Sequence, residues 1–119
     1  MAKNISFGQG TTFYEPSVAE GVNSGDPIIL GEDKAEIPAI ALTDRDDDGG
    51  ATVIVRDAVV VKLNVTGKDD AGNSAVARWD KLYKDGDEIN KDATNGILFG
   101  YAMGTVAAGA TTEIEVMLA

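Results

Sequence analysis

The sequence predicts an all-β domain, a small β-sandwich or barrel with little helix. Short apolar runs recur about every ten residues with Gly, Asp, Asn or Pro between them, the spacing of packed antiparallel strands rather than of strand–helix–strand units. Val59, Val61, Leu63 and Val65 alternate with Val60, Lys62, Asn64 and Thr66 in the longest amphipathic run of the chain. Ile114, Val116 and Leu118 alternate in the same way with Glu113, Glu115 and Met117. A period of two marks strands with one buried face. The last quarter holds two strand candidates, around 97–103 and 111–118, joined by a small turn at Ala107 to Ala110 with Gly109 inside it. A C-terminal hairpin follows.

Taken in order, residues 1–22 are irregular and read as an N-terminal arm or edge strand, with Thr11 to Tyr14 its strand-like piece and Pro16 closing it. Residues 23–119 read as one β domain. Ser24-Gly25-Asp26-Pro27 is a turn, since Gly supplies unusual dihedrals and Pro restricts its predecessor. Ile28 to Leu30 is a short buried strand ended by Gly31, and Glu32 to Glu36 is a turn or a single helical turn. Ile37 to Leu42 resumes as a strand, and Pro38 marks it as an edge or a strand start. The acidic stretch Asp44 to Gly50 separates it from Ala51 to Arg56 and then from the run at 59–66. Gly67 to Ser74 is a polar loop. Ala75 to Tyr83 fits either a strand or a short helix, because Val76, Trp79, Leu82 and Tyr83 have helix-like spacing. Asp85-Gly86 is a hairpin dipeptide. Within 97–104, strict alternation puts Ile97, Phe99, Tyr101 and Met103 on one face, and Leu98, Gly100, Ala102 and Gly104 on the other.

Composition then narrows the chemistry. A chain of 119 residues buries roughly two-thirds of its unfolded surface, so it folds as one unit without a staple. Neither Cys nor His is present, which excludes disulfides and any Ser-His or Cys-His nucleophile. The start Met1-Ala-Lys-Asn lacks an apolar signal core, and no apolar run approaches a membrane span, so a soluble protein without Sec export is expected. Twenty acidic against ten basic residues give a charge of −10, the opposite of the basic stripe that phosphate recognition needs. Nucleic acid and membrane are therefore not expected partners. The charge serves solubility, or makes an acidic surface that docks on a basic one or attracts divalent cations.

Asp44, Asp46 and Asp48 before Gly49 match the opening of a calcium loop, in which alternate carboxylates converge on one hard cation. The register then fails, with Val55 where the bidentate Glu belongs and strands where helices belong. An exposed acidic turn is the favoured reading, so these three stay as metal candidates without commitment, and no cofactor is expected. Asp85, Asp87, Glu88 and Asp92 form a second acidic group, but a glycosidase needs one carboxyl desolvated with a raised pKa, and hairpin turns with solvated charges explain them better. Gly8-Gln-Gly10 and Gly49-Gly50 lack the context of a phosphate loop. Trp79, Tyr83, Phe99 and Tyr101 read as core aromatics before ligand or interface aromatics.

Four segments in order resemble the phage capsid cement, or head decoration, family: Val22-Asn-Ser-Gly-Asp-Pro-Ile-Ile-Leu-Gly31, Ile40-Ala-Leu-Thr-Asp44, Trp79-Asp-Lys-Leu-Tyr-Lys-Asp85, and Gly100-Tyr-Ala-Met-Gly-Thr-Val-Ala-Ala-Gly through Val116-Met-Leu118. Each alone is a turn-and-strand pattern; their order and spacing carry the resemblance over nearly the whole chain. The resemblance implies a jelly-roll-like β domain without an active site. It also implies a homodimer or homotrimer on the outer capsid surface of the virion that clamps neighbouring major capsid subunits, with the host cytoplasm as its location before assembly. Phe7, Phe13 and Tyr14 are the candidate interface residues, because the arm is too irregular for core yet carries aromatic side chains. The competing readings are a small calcium-binding or interaction module built on Asp44 to Asp48, and, more remotely, a carboxylate hydrolase.

Overall fold

The computed structural model describes residues 5–7, 11–55 and 59–119, the side chains of Ser6 and Phe7 excepted. Twelve strands arise in three antiparallel sheets, and no helix is present among the described residues. The strands are β1 (Ile5–Phe7), β2 (Thr11–Glu15), β3 (Pro27–Leu30), β4 (Ile37–Ala41), β5 (Ala51–Val55), β6 (Val60–Thr66), β7 (Lys68–Asp69), β8 (Gly72–Asn73), β9 (Lys81–Asp85), β10 (Glu88–Asn90), β11 (Ile97–Ala102) and β12 (Thr111–Leu118). The larger sheet runs β1-β6-β12-β11-β9-β10 and the second β2-β5-β4-β3, with β7-β8 a small ribbon between β6 and β9 in sequence. The fold is all-β and the sheets do not close into a barrel.

The larger of two hydrophobic clusters joins the two large sheets. Ile40 and Ile54 of the smaller sheet, with Leu42 just beyond β4, pack with Val61, Val65, Leu82, Phe99, Val116 and Leu118 of the larger one. The alternation read from the sequence is what puts them there. In β6, Val61, Leu63 and Val65 are buried while Lys62 and Asn64 are exposed, and in β12 Val116 and Leu118 are buried while Glu113 and Glu115 are exposed. The register matches these faces, pairing Val61 with Val116 and Leu63 with Ile114. β12, with eight residues, is longer than β6, with seven. Pro38 is the second residue of β4 and opposes Ile29 of β3, while the described pairing of β4 with β5 runs from Ala39 to Ala41.

The C-terminal hairpin forms, with Gly100 opposite Leu118 and Ala102 opposite Val116. Its face assignment differs from strict alternation. A register shift between Leu98 and Gly100 against β9 places Phe99 and Ala102 in the same core cluster, while Tyr101 and Met103 remain half-buried on the other side. The physical cause is a β-bulge, whose extra residue resets the phase of the strand. Gly100 lies at this bulge because a Cβ there would meet the Met117 carbonyl and stand 3.0 Å from a Val116 methyl.

Residues 75–83 resolve into neither a helix nor one strand. Val76 makes a single bridge to Val106, residues 77–80 turn, and β9 begins at Lys81. The Asp80 carboxylate accepts the Ala77 N–H at 2.8 Å and Trp79 takes φ 75°, which ends either periodic structure. Residues 67–74, read as a plain loop, contain the β7-β8 ribbon. At the next hairpin Gly86, at φ 60°, is the first of two loop residues between Asp85 and Glu88, as a Gly-first II′ turn requires.

Candidate functional site

β2 lies at one edge of the smaller sheet, paired among the described residues only with β5, and its first four residues are exposed. Phe13 opposes Val53 and is 40% exposed; Tyr14 opposes Thr52 and is 49% exposed. Being adjacent in a strand, they point to opposite faces. Phe7 belongs to β1 of the other sheet, where its backbone opposes Val60. The three candidate interface residues are therefore divided between two sheets, and the side chain of Phe7 lies outside the described residues.

Tyr14 is held by the acidic turn. Its hydroxyl donates to Asp46 Oδ2 at 2.8 Å, and Asp46 Oδ1 accepts the N–H groups of Asp48 and Gly50, each at 3.0 Å. A Cβ at Gly50 would collide with the Tyr14 hydroxyl, so glycine makes room for this contact. The backbone N–H of Gly50, and then the Tyr14 hydroxyl, hold the Asp46 carboxyl below its ordinary value. The same hydrogen bond is the main cause that pushes the Tyr14 phenol up, with burial and the charges of Asp46 and Asp48 adding to it.

The calcium-loop candidates are thus not aimed at one point. Asp46 is occupied by the turn and by Tyr14, and Asp44 Oδ1 accepts the N–H of Ser24 at 2.7 Å. Among the described residues no group of three Asp, Glu, His or Cys is placed to hold a metal ion.

The second acidic group is split as well. Asp85 and Glu88 oppose each other across the β9-β10 turn. Asp92 is buried, accepting from the N–H groups of Thr94 and Asn95 at 3.0 Å and from Asn95 Nδ2 at 2.8 Å. Buried Asn90 supports it by accepting the Asp92 N–H at 2.8 Å. The Asn95 side chain and N–H hold Asp92 below the ordinary carboxylate value in spite of its burial, the wrong direction for a general acid. Asp92 staples the 91–96 turn, with the N–H of Gly96 returning to its carbonyl. The sequence signal for it was Asn90-x-Asp92-x-Thr94-Asn95, a run of residues that bond neighbouring backbone.

An open groove of about 860 Å³ runs along β3, lined by Val18, Ile28 and Leu30 together with Glu15, Glu20, Glu32 and one cation, Lys84. It is a surface trough whose charged lining is mainly acidic, and it gathers no set of groups matched to a reaction. The exposed aromatic side chain that sequence reasoning misplaced is Trp79, which is 52% exposed where core was expected.

The described surface therefore offers edges, aromatic side chains and rigid acidic turns. The family model for phage cement proteins matches residues 5–118. The chain belongs to the phage cement protein family. No curated protein and no solved structure matches it. A cement protein is a structural phage protein associated with the capsid of the virion. Among the described residues no helix is long and apolar enough to cross a membrane.

Proposed function

We propose that this cement protein decorates the outside of the phage head and stabilises it by bridging neighbouring major capsid subunits, as a homodimer or homotrimer and without a catalytic step. The family match over residues 5–118 carries the reading. Bridging adds strength through multiplicity: an oligomer placed at a symmetry axis engages several subunits at once, so modest single contacts sum to strong avidity. Residues 1–22, read as an arm or edge strand, serve as the contact segment through the edge strand β2, and residues 23–119 as the body. Phe13 and Tyr14 support this division, being large, exposed and on an edge strand, the kind of residue that anchors interfaces. The charge of −10 fits a protein that stays off the packaged nucleic acid.

Co-sedimentation with expanded, undecorated heads of its own phage, together with light scattering of the free protein, is the test. Saturable binding at a fixed ratio to the major capsid protein is the expected result, and Phe13→Ala should weaken it without lowering the melting temperature by more than a few degrees. A folded protein that fails to bind such heads would refute decoration.

A further inference from the structure

Trp79 combines three features that a surface residue rarely combines. It is the only tryptophan of the chain and is 52% exposed. Its φ of 75° lies in the left-handed region, where a bulky aromatic residue is a genuine outlier. Its turn is nevertheless tightly fixed. The N–H of Trp79 donates to the Ala102 carbonyl at 2.6 Å, the N–H of Ala102 donates to the Asp80 carbonyl at 2.9 Å, and the Asp80 carboxylate caps Ala77. The Arg78 guanidinium lies 4.9 Å from the centre of the indole and donates to the Met103 carbonyl at 2.6 Å, so it braces the ring from one side. Backbone strain that the surrounding structure maintains tends to mark a functional position.

Charge indicates what meets it. The chain carries −10 overall, yet the residues flanking Trp79 offer two exposed cations, Arg78 and Lys81, while the Asp80 carboxylate between them in sequence is partnered by Lys91 at 3.5 Å. Across the sheet stands an acid, Glu115, whose backbone carbonyl takes the Met103 N–H. Half-buried Tyr101 opposes Lys81 and Met117 and precedes Ala102, the residue whose carbonyl takes the Trp79 N–H. Trp, Tyr, Met and Arg are the residues enriched at interface centres.

We propose that the Arg78–Trp79 knuckle is the anchor by which this protein docks on the shell, the indole entering an apolar pocket of a capsid subunit rimmed by carboxylates that face Arg78 and Lys81. This rests on the decoration reading above and adds the residue and the partner chemistry. A second copy of the chain is the alternative occupant.

The test uses full-length protein labelled with 5-hydroxytryptophan, which is excited to the red of the shell's own tryptophans. Acrylamide quenching is read with and without expanded, undecorated heads, alongside co-sedimentation. Quenching that falls several-fold on saturation with heads is expected. Protection that already appears when the free protein is concentrated would overturn the shell as the occupant. Unchanged quenching on heads that do bind would overturn the anchor while leaving decoration standing, whereas absence of co-sedimentation would remove both. Trp79→Asn keeps a residue tolerant of left-handed backbone, and Arg78→Glu reverses the charge. Each should weaken head binding at least tenfold with the circular dichroism spectrum retained, and parental affinity in both would overturn the proposal.

Discussion

Phe99→Ala tests the placement of the bulge that sets the core. The ring is fully buried in a cluster that draws on both sheets, with Ile40 from one side and Leu82 and Val116 from the other. Neighbours fixed in two ladders collapse poorly into a void, so the cost belongs at the upper end of the usual range, about 4–5 kcal/mol. Against a typical domain stability of about 5–15 kcal/mol the variant still folds, but with little reserve. At roughly 3–6 °C per kcal/mol for a chain of this size, the melting temperature drops by about 12–30 °C. Tyr101→Ala, two residues on and half-buried on the opposite face, should cost about 1–2 kcal/mol. Urea titration is the assay, with the midpoint moving and the slope preserved. Under strict alternation both residues would share one face and cost alike. A Phe99→Ala penalty under about 1 kcal/mol, or one smaller than that of Tyr101→Ala, would refute the bulge.

Gly67→Ala places a methyl against the Ala107 carbonyl and 3.1 Å from the Ser74 carbonyl, two separate segments that cannot both retreat, and should lower stability by about 1–3 kcal/mol in thermal melts. Asp46 and Asp92 both have folded pKa values below their ordinary 3.8, so their contribution is complete above that value and is lost as pH falls through the folded value. The urea midpoint should decline in acid, with a shallower decline in Asp92→Asn. Tyr14 has the opposite sign: its raised pKa favours the neutral phenol in the fold, so its stabilising contribution is present below the ordinary 10.0 and is lost as pH rises through the folded value. Absorbance near 295 nm should show a high-pH phenolate step that disappears in Tyr14→Phe. Millimolar calcium should leave the melting temperature unchanged, since Asp46 is occupied by Tyr14 and the turn; a clear rise would restore the metal reading.

Strand positions were legible wherever alternation is unbroken. Both β6 and β12 could be read because each buries one face against the other sheet, and the C-terminal hairpin followed from Gly109, at φ 77°, in its connection. The reading failed where one residue changes phase or leaves the ladder. The bulge at Phe99 is not visible in periodicity, since Leu98, Phe99 and Tyr101 are all large. The sequence favours core for Trp79 because an aromatic residue at a strand position is usually buried, and its helix-like spacing to Val76 and Leu82 leaves strand or helix open. Asp80 capping Ala77 and the left-handed backbone at Trp79 turn the chain there, and such dihedrals carry no hydrophobic signature. The candidate site was less legible than the fold. Phe13 and Tyr14 were found as aromatic residues outside the core pattern, but the partnership of Tyr14 with Asp46 crosses 32 positions of sequence.

The acidity takes on a different meaning once the loops are in view. Loop N–H groups lie outside the strand ladders and need acceptors of their own. Aspartate does this here. Asp26 accepts from Asn23, Asp44 from Ser24, Asp46 from Asp48 and Gly50, Asp69 from Ala71, Asp80 from Ala77, and Asp92 from Thr94 and Asn95. Much of the surplus that gives −10 is therefore loop architecture before it is a docking charge. The consequence bears on cementing. Loops fixed before contact lose little freedom on binding, and that preorganisation lets a small domain hold a partner with few contacts. It also couples the contact surface to acid. Asp46 holds Tyr14 and its own turn and has a lowered pKa. Protonating it should loosen the surface that displays Tyr14 before the apolar core opens, so head binding should fail at a higher pH than the one at which the protein unfolds. Binding that survives down to the unfolding transition itself would show that this turn contributes nothing to the contact.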